Sequence, residues 1–240
     1  MDFNRTIRSA APINTAINDL IEAAARREPE ANVRQYLGAS SIGSECLRRV
    51  QYDWVVDSEH SLRTRDIFHR GHVFERLSRQ HLVNAGFRFA PDDVLGFRAV
   101  GGLLRGHADG IIIAGPNLPG SYLIFPCVWE HKCLGAKGWH AIERDGIEKA
   151  YPQYHAQVLL YQAYLDVTNP ALFTIVNADT CERLHLLVPF NAERAQAWSD
   201  RAATIIEATR AGELLPRFTN DPEDWRCRFC GHRERCWRAA

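Results

Sequence analysis

Two spacings of apolar residues divide the chain. Before residue 87 they recur every three to four positions, the period of one helix face; beyond it, short apolar runs alternate with glycine and proline. Residues 14–36 predict an exposed amphipathic helix ending near Gly38, and residues 40–56 (SSIGSECLRRVQYDWVV) a second helix opened by a serine cap. A third spans 61–86, with apolar or aromatic residues at 67, 68, 74, 77 and 82 and a stop at Gly86. The segments LGFRAV, LLRGHADGIIIAG and YLIFPCVWEHK are β-rich, are divided by clusters such as GPNLPGS, and are expected to be adjacent strands of one sheet. KGWHAIERDGI predicts a short helix, and residues 152–167 a longer one with proline in its first turn. ALFTIVNAD and RLHLLVPF predict a strand pair, and residues 192–212 a surface helix. This order predicts an α/β sandwich with a mixed sheet, because too few βαβ units follow one another for a doubly wound one.

Composition adds bounds. The 240 residues, 46% of them hydrophobic, suffice for one large domain or one domain with a small appendage. No run reaches the roughly 18 apolar residues of a membrane span, and the N-terminus lacks a signal pattern, so the chain is expected in the cytoplasm. The formal net charge is zero, so any nucleic-acid binding must come from local patches. Among 29 basic residues only Lys132, Lys137 and Lys149 are lysines. Unlike arginine, lysine has a pKa that its surroundings can lower, a property a chain so rich in arginine could be keeping at position 132; chance survival explains three lysines equally well. Seven cysteines without a secretion signal argue against a disulfide framework, and three of them, Cys227, Cys230 and Cys236, crowd the C-terminus.

The stretch VWEHKC ends an apolar run with Glu130 and Lys132, which share one face of a strand. Alone, the pair reads as a strand-end salt bridge. Upstream, however, Asp109 stands in RGHADGIII at the start of another apolar run, and a carboxylate entering a core is costly unless paired or metal-bound. Two carboxylates on neighbouring strands can hold Mg²⁺ or Mn²⁺. A nearby lysine could orient an attacking water, favour its hydroxide form and offset charge on a phosphate. The trio suits hydrolysis of a phosphodiester.

With GHAD followed by VWEHK, the chain resembles the PD-(D/E)XK nuclease superfamily. Gln157 and Tyr161 in YPQYHAQVLLYQAY fit the Gln-x-x-x-Tyr signature of its RecB-like branch, where the pair flanks the lysine and the DNA. In HRGHVFE, Glu75 lies four residues after Gly71, an offset at which RecB-like enzymes usually carry a histidine and some phage recombination exonucleases a glutamate. The resemblance implies a third metal ligand from this helix; spacing favours Glu75, since His72 is turned about 100° from the face of Gly71. The His131 backbone carbonyl is a further candidate ligand. Cys133 departs from the pattern, standing where these families often carry a small hydroxyl residue.

The tail WRCRFCGHRERC gives Cys-x2-Cys-x5-Cys, and Cys46 is the candidate fourth ligand, because Cys127, Cys133 and Cys181 fall in or beside the predicted sheet. One early cysteine with a late triplet resembles the iron-sulfur staple of the small CRISPR-associated RecB-like exonucleases, which implies a [4Fe-4S] cluster; spacing equally allows tetrahedral Zn²⁺. Around these cysteines five arginines interleave with Trp225, Phe229 and Trp237, either as a single-strand channel or as packing around the metal centre. Trp139, His140 and Tyr154 are further candidate substrate contacts, and Trp139 and His140 have equally good packing roles.

The resemblance covers about residues 40 to 236. It implies a restriction-endonuclease-like α/β core with a central mixed sheet flanked by helices (39–215), an N-terminal helical extension (1–38) and a cysteine-stapled region (216–240 with Cys46). The implied activity is metal-dependent exonuclease action on single-stranded DNA ends, in repair, recombination or CRISPR spacer acquisition, with partner proteins of such complexes. An endonuclease of the same superfamily and a non-catalytic iron-sulfur or zinc nucleic-acid-binding module are the alternatives.

Overall fold

The computed structural model describes residues 11–27, 35–56 and 61–238. Helix α1 covers Ala11–Ala25, shorter than the predicted 14–36; residues 28–34 of that prediction lie outside the described residues. Strand β1, Leu37–Gly38, follows, so the expected boundary at residue 38 falls within a sheet, where Leu37 is buried. Helix α2 spans Leu47–Val55 and begins after Cys46, without the expected serine cap. Ser40 and Ser41 instead enter a single 3-10 turn over Ala39–Ser41, which buries Ala39 and Ile42 and delays the helix. Helix α3 runs Leu62–Asn84, its first turn closed by Ser61 Oγ accepting from the Thr64 amide.

The β-rich middle forms two mixed sheets where one was expected. β3 (Gly96–Ala99) and β4 (Leu104–His107) pair antiparallel, and β1 adds parallel to β4, giving the order β1-β4-β3. The larger sheet comprises β2 (Arg88–Phe89), β5 (Gly110–Ala114), β6 (Cys127–Leu134), β7 (Ala171–Asn177) and β8 (Arg183–Val188) in the order β2-β5-β6-β7-β8. The run LLRGHADGIIIAG is divided between them. The Ala108 amide donates to Leu95 on the small-sheet side, and the Ala90 amide donates to Ile111 on the other. Asp109 falls between the two ladders.

Only β6 and β7 pair parallel in the larger sheet. A parallel pair needs a crossover, supplied here by α4 (Ala136–Ala150) and α5 (Pro152–Tyr164). Gly146, at φ +75°, breaks α4 near its predicted end. Every residue of α5 from His155 to Gln162 is buried, and so is all of β7, which explains their near-continuous apolar sequences. One core cluster joins α5, the small sheet and α6 (Ala192–Arg210); a second, around Trp129 and Ile112, covers the opposite face of the larger sheet. Two short helices, α7 (Trp225–Arg228) and α8 (Arg233–Arg238), carry Cys227 and Cys236, with Cys230 in the turn between them. Among the described residues no helix is long and apolar enough to cross a membrane.

Gly43 fixes how the loop before α2 meets the crossover. A Cβ there would lie 2.4 Å from Gln153 Cα, a backbone atom that cannot rotate away. Gly43→Ala is expected to cost about 1–3 kcal/mol in equilibrium unfolding; an unchanged denaturation midpoint would contradict this packing.

Candidate active site

Strand β6 carries Glu130 and Lys132 on one face, and their side chains meet: Lys132 Nζ donates to Glu130 Oε1 at 2.6 Å. Asp109 reaches the same strand from the joint between the sheets, its Oδ2 accepting the His131 amide at 2.7 Å. Glu75 projects from α3 toward them, half-buried, and its charge is felt by Glu130. Burial and then Asp109 raise the Glu75 carboxyl above its usual range. Burial, then Asp109, push the fully buried Glu130 up to about 8. Burial works to lower the Lys132 pKa, but Glu130 and Asp109 outweigh it, so this lysine is held as an ammonium and its pKa is not lowered. Glu130 Oε2 is buried with no hydrogen-bond partner.

The other sequence-predicted residues arrange around this pair. Tyr154 places its ring 5.2 Å from Lys132 Nζ and stacks at 5.0 Å on Tyr151. Gln157 Nε2 donates to Tyr161 Oη at 2.8 Å, and burial raises the Tyr161 pKa, with Glu130 adding to the effect. His72 lies outside Glu75, its Nδ1 3.5 Å from Glu75 Oε2, and is mostly exposed. The His131 side chain turns to the opposite face of the strand, where its Nε2 lies 3.1 Å from Ser78 Oγ; burial holds its pKa down at about 3, so the ring is neutral. Trp139 belongs to the core and is buried, which leaves no face for a base; His140 is exposed and pairs with Glu143.

No protein-family model matches the sequence, and no curated protein matches it. Solved structures do. The alkaline exonuclease LHK-Exo of Laribacter hongkongensis aligns with a TM-score of 0.52 at 13% identity, over 81% of this chain and 93% of that one. Its complex with dAMP aligns with a TM-score of 0.51 at 14% identity, over 74% and 89%. The likeness is one of fold. Two mixed sheets flanked by helices fit a restriction-endonuclease-like architecture.

Away from this centre, Cys46, Cys227, Cys230 and Cys236 line one cavity of about 30 Å³. Burial, Asp224 and the other three thiols each raise the Cys227 pKa, a mutual repulsion that a bound cation would relieve. Arg217 also lines the cavity; it donates to the Cys236 carbonyl at 2.6 Å, and its buried Nε–H has no partner. One group of this cavity, His232, was missed in the sequence. His232 lies in the cavity wall with Nε2 2.8 Å from Asp53 Oδ1, and its only sequence signal was its place inside the cysteine motif. As the side chains stand, no group of three or more His, Cys, Asp and Glu among the described residues is positioned to hold a metal ion, so at either centre the donors would have to draw in.

The tail aromatics divide. Trp237 lines the cysteine cavity, with the Arg217 guanidinium 4.5 Å over its ring, whereas Trp225 and Phe229 are 62% and 84% exposed. Three of the five tail arginines are already paired: Arg226 with Asp224 and Glu45, Arg233 with Glu223, and Arg238 with Glu234.

Proposed function

We propose that this protein is a Mg²⁺- or Mn²⁺-dependent exonuclease that hydrolyses phosphodiester bonds at single-stranded DNA ends. The observation that carries the reading is that Asp109 is bonded to the strand on which Glu130 and Lys132 meet, while Glu130 Oε2 is a buried carboxyl oxygen with no hydrogen-bond donor. Such an atom is costly unless a cation meets it. Glu75, Asp109 and Glu130 would hold the ion, with the His131 backbone carbonyl as a further ligand; oxygen donors suit these hard cations. When bound, the ion supplies Lewis acidity and a more acidic water.

The chain's own groups do the rest. Lys132, kept protonated, orients the attacking water by hydrogen bonding and offsets the negative charge that gathers on the phosphate as the P–O bond breaks. The Tyr154 ring and the Gln157–Tyr161 pair fix the direction of Nζ and flank the substrate. His72 braces Glu75 from outside. Glu75→Gln is therefore expected to slow cleavage about 10²-fold, and His72→Ala only about tenfold. Equal losses in a steady-state cleavage assay would reverse that assignment.

Cys46, Cys227, Cys230 and Cys236 are assigned on family resemblance to a [4Fe-4S] cluster, a set of donors that also suits Zn²⁺. Under this reading residues 39–215 form the nuclease core, 216–240 with Cys46 the stapled region, and 1–38 an extension. DNA is the substrate, and repair, recombination or CRISPR adaptation complexes supply the setting and the partner proteins. The test is a labelled single strand, linear or circular, incubated with Mn²⁺. Stepwise shortening of the linear strand with the circle intact is expected. Cutting of the circle would make the protein an endonuclease, and no turnover with either ion would refute the nuclease reading.

A further inference from the structure

We infer that a groove beside the cysteine cavity binds one DNA strand, with Trp225 and Phe229 as its base-stacking platforms. The inference rests on the nuclease reading for the identity of its ligand. The groove encloses about 610 Å³ and is walled by the loop of residues 40–46, the junction of α4 and α5, and the cysteine hairpin around α7. Its volume is in the range of small-molecule sites.

The two rings are the first argument. Both line the groove and both are largely exposed, although large apolar rings grouped at a surface mark a binding site. Neither is consumed in packing around the cysteine cavity, where Trp237 takes that place. Unpaired bases offer their faces to such rings, whereas bases in a duplex are stacked on each other.

Continuity with the catalytic centre is the second. Tyr151 forms part of the groove wall and stacks on Tyr154 with ring planes 10° apart; the Tyr154 ring in turn lies 5.2 Å from Lys132 Nζ. Two stacked rings thus separate the groove from the lysine proposed to act on the scissile phosphate. A strand lying on Trp225 and Phe229 is guided toward that lysine.

Charge decides which force dominates. The groove is lined by Arg49, Lys149 and Arg226 against Glu45 and Asp53, and these cations are engaged: Arg49 with Asp53, Lys149 with Asp145, and Arg226 with Asp224 and Glu45. Few phosphates can be neutralised there. Stacking carries the binding, and its salt dependence is shallow, with a slope of log K against log salt of about −1.

The test is fluorescence anisotropy of a labelled oligothymidylate with the full-length protein in the absence of divalent ions. Trp225→Ala and Phe229→Ala are each expected to weaken binding about tenfold, Trp225→Phe to restore most of it, and a duplex of equal length to bind far more weakly. Both residues are exposed, so the variants should melt with the wild type. Undiminished binding by the double variant, a steep salt slope, or no binding by the wild type would overturn the inference. A protein that binds through these rings but never cuts with Mn²⁺ keeps this inference and loses the nuclease reading. One that cuts normally with both rings removed does the reverse.

Discussion

Lys132→Ala is expected to slow DNA cleavage about a thousandfold while leaving strand binding intact. Among the described residues the ammonium is the one cation bonded to Glu130, at 2.6 Å, and aromatic and carboxylate neighbours hold it in place. Under the proposed function its loss removes both the group that orients water and a charge opposite the phosphate. Retained turnover in a metal-supplemented assay would refute its role. The same substitution has a second signature. Removing one partner of a buried ion pair costs about 3–5 kcal/mol when the other stays charged, but the Glu130 carboxyl is already raised to about 8 and can take a proton instead. A carboxyl whose folded pKa lies above its unfolded value of 4.5 favours folding most at low pH and loses that advantage as pH rises through the folded value. In metal-free buffer the variant should therefore fall further below the wild type in melting temperature near pH 8 than near pH 5. Parallel melting curves across that range would mean that Glu130 is not the buried acid described above.

Cys227→Ser is expected to have the largest effect on stability. If the four thiols hold one centre, they tie points about 180 residues apart, and a cross-link closing so long a loop is worth about 5 kcal/mol in the chain-entropy model. For a chain of this size the loss corresponds to a fall in melting temperature of about 10–20 °C. Absorption near 400 nm, expected of thiolate-bound iron, should vanish with it. Cys46→Ser should behave alike, whereas Cys133→Ser and Cys181→Ser, on and beside the larger sheet, should keep the colour. A colourless wild type with stoichiometric zinc would exchange the metal and keep the staple. Unchanged melting in both Cys227→Ser and Cys46→Ser would remove the staple.

The sequence located α3, α5 and α6 closely, α3 by its apolar spacing and the stop at Gly86, and α5 by the proline in its first turn; the caps at Ser61 and Asn191 emerge only in the structure. The strand pair β7–β8 was equally plain. The division into two sheets was not, since an apolar run records that a strand is buried and not which ladder it joins. β1 and β2, two residues each, are too short for any period to register. The serines of residues 40–44 have the chemistry of a cap, yet tertiary packing of Ala39 and Ile42 pulls them into a different turn. Around the site, the pairing of Glu130 with Lys132 followed directly from the two-residue period of a strand. The fate of Trp139 could not, because a tryptophan beside a strand end has the same sequence whether its ring faces a core or a base. His232 and Asp53 meet only through the folding of two distant helical segments, which no local spacing records.

Asp109 occupies the joint between the two ladders, bonded to one strand of the larger sheet while its chain continues from the smaller. Such a carboxylate works as a pivot. Any repacking that tilts the smaller layer, even a truncation at the buried Leu104, is expected to swing this oxygen relative to the acid and amine on β6. Tolerance to mutation should thus be lowest along that buried hinge line, and distant variants there should act as activity modulators before they act as folding defects.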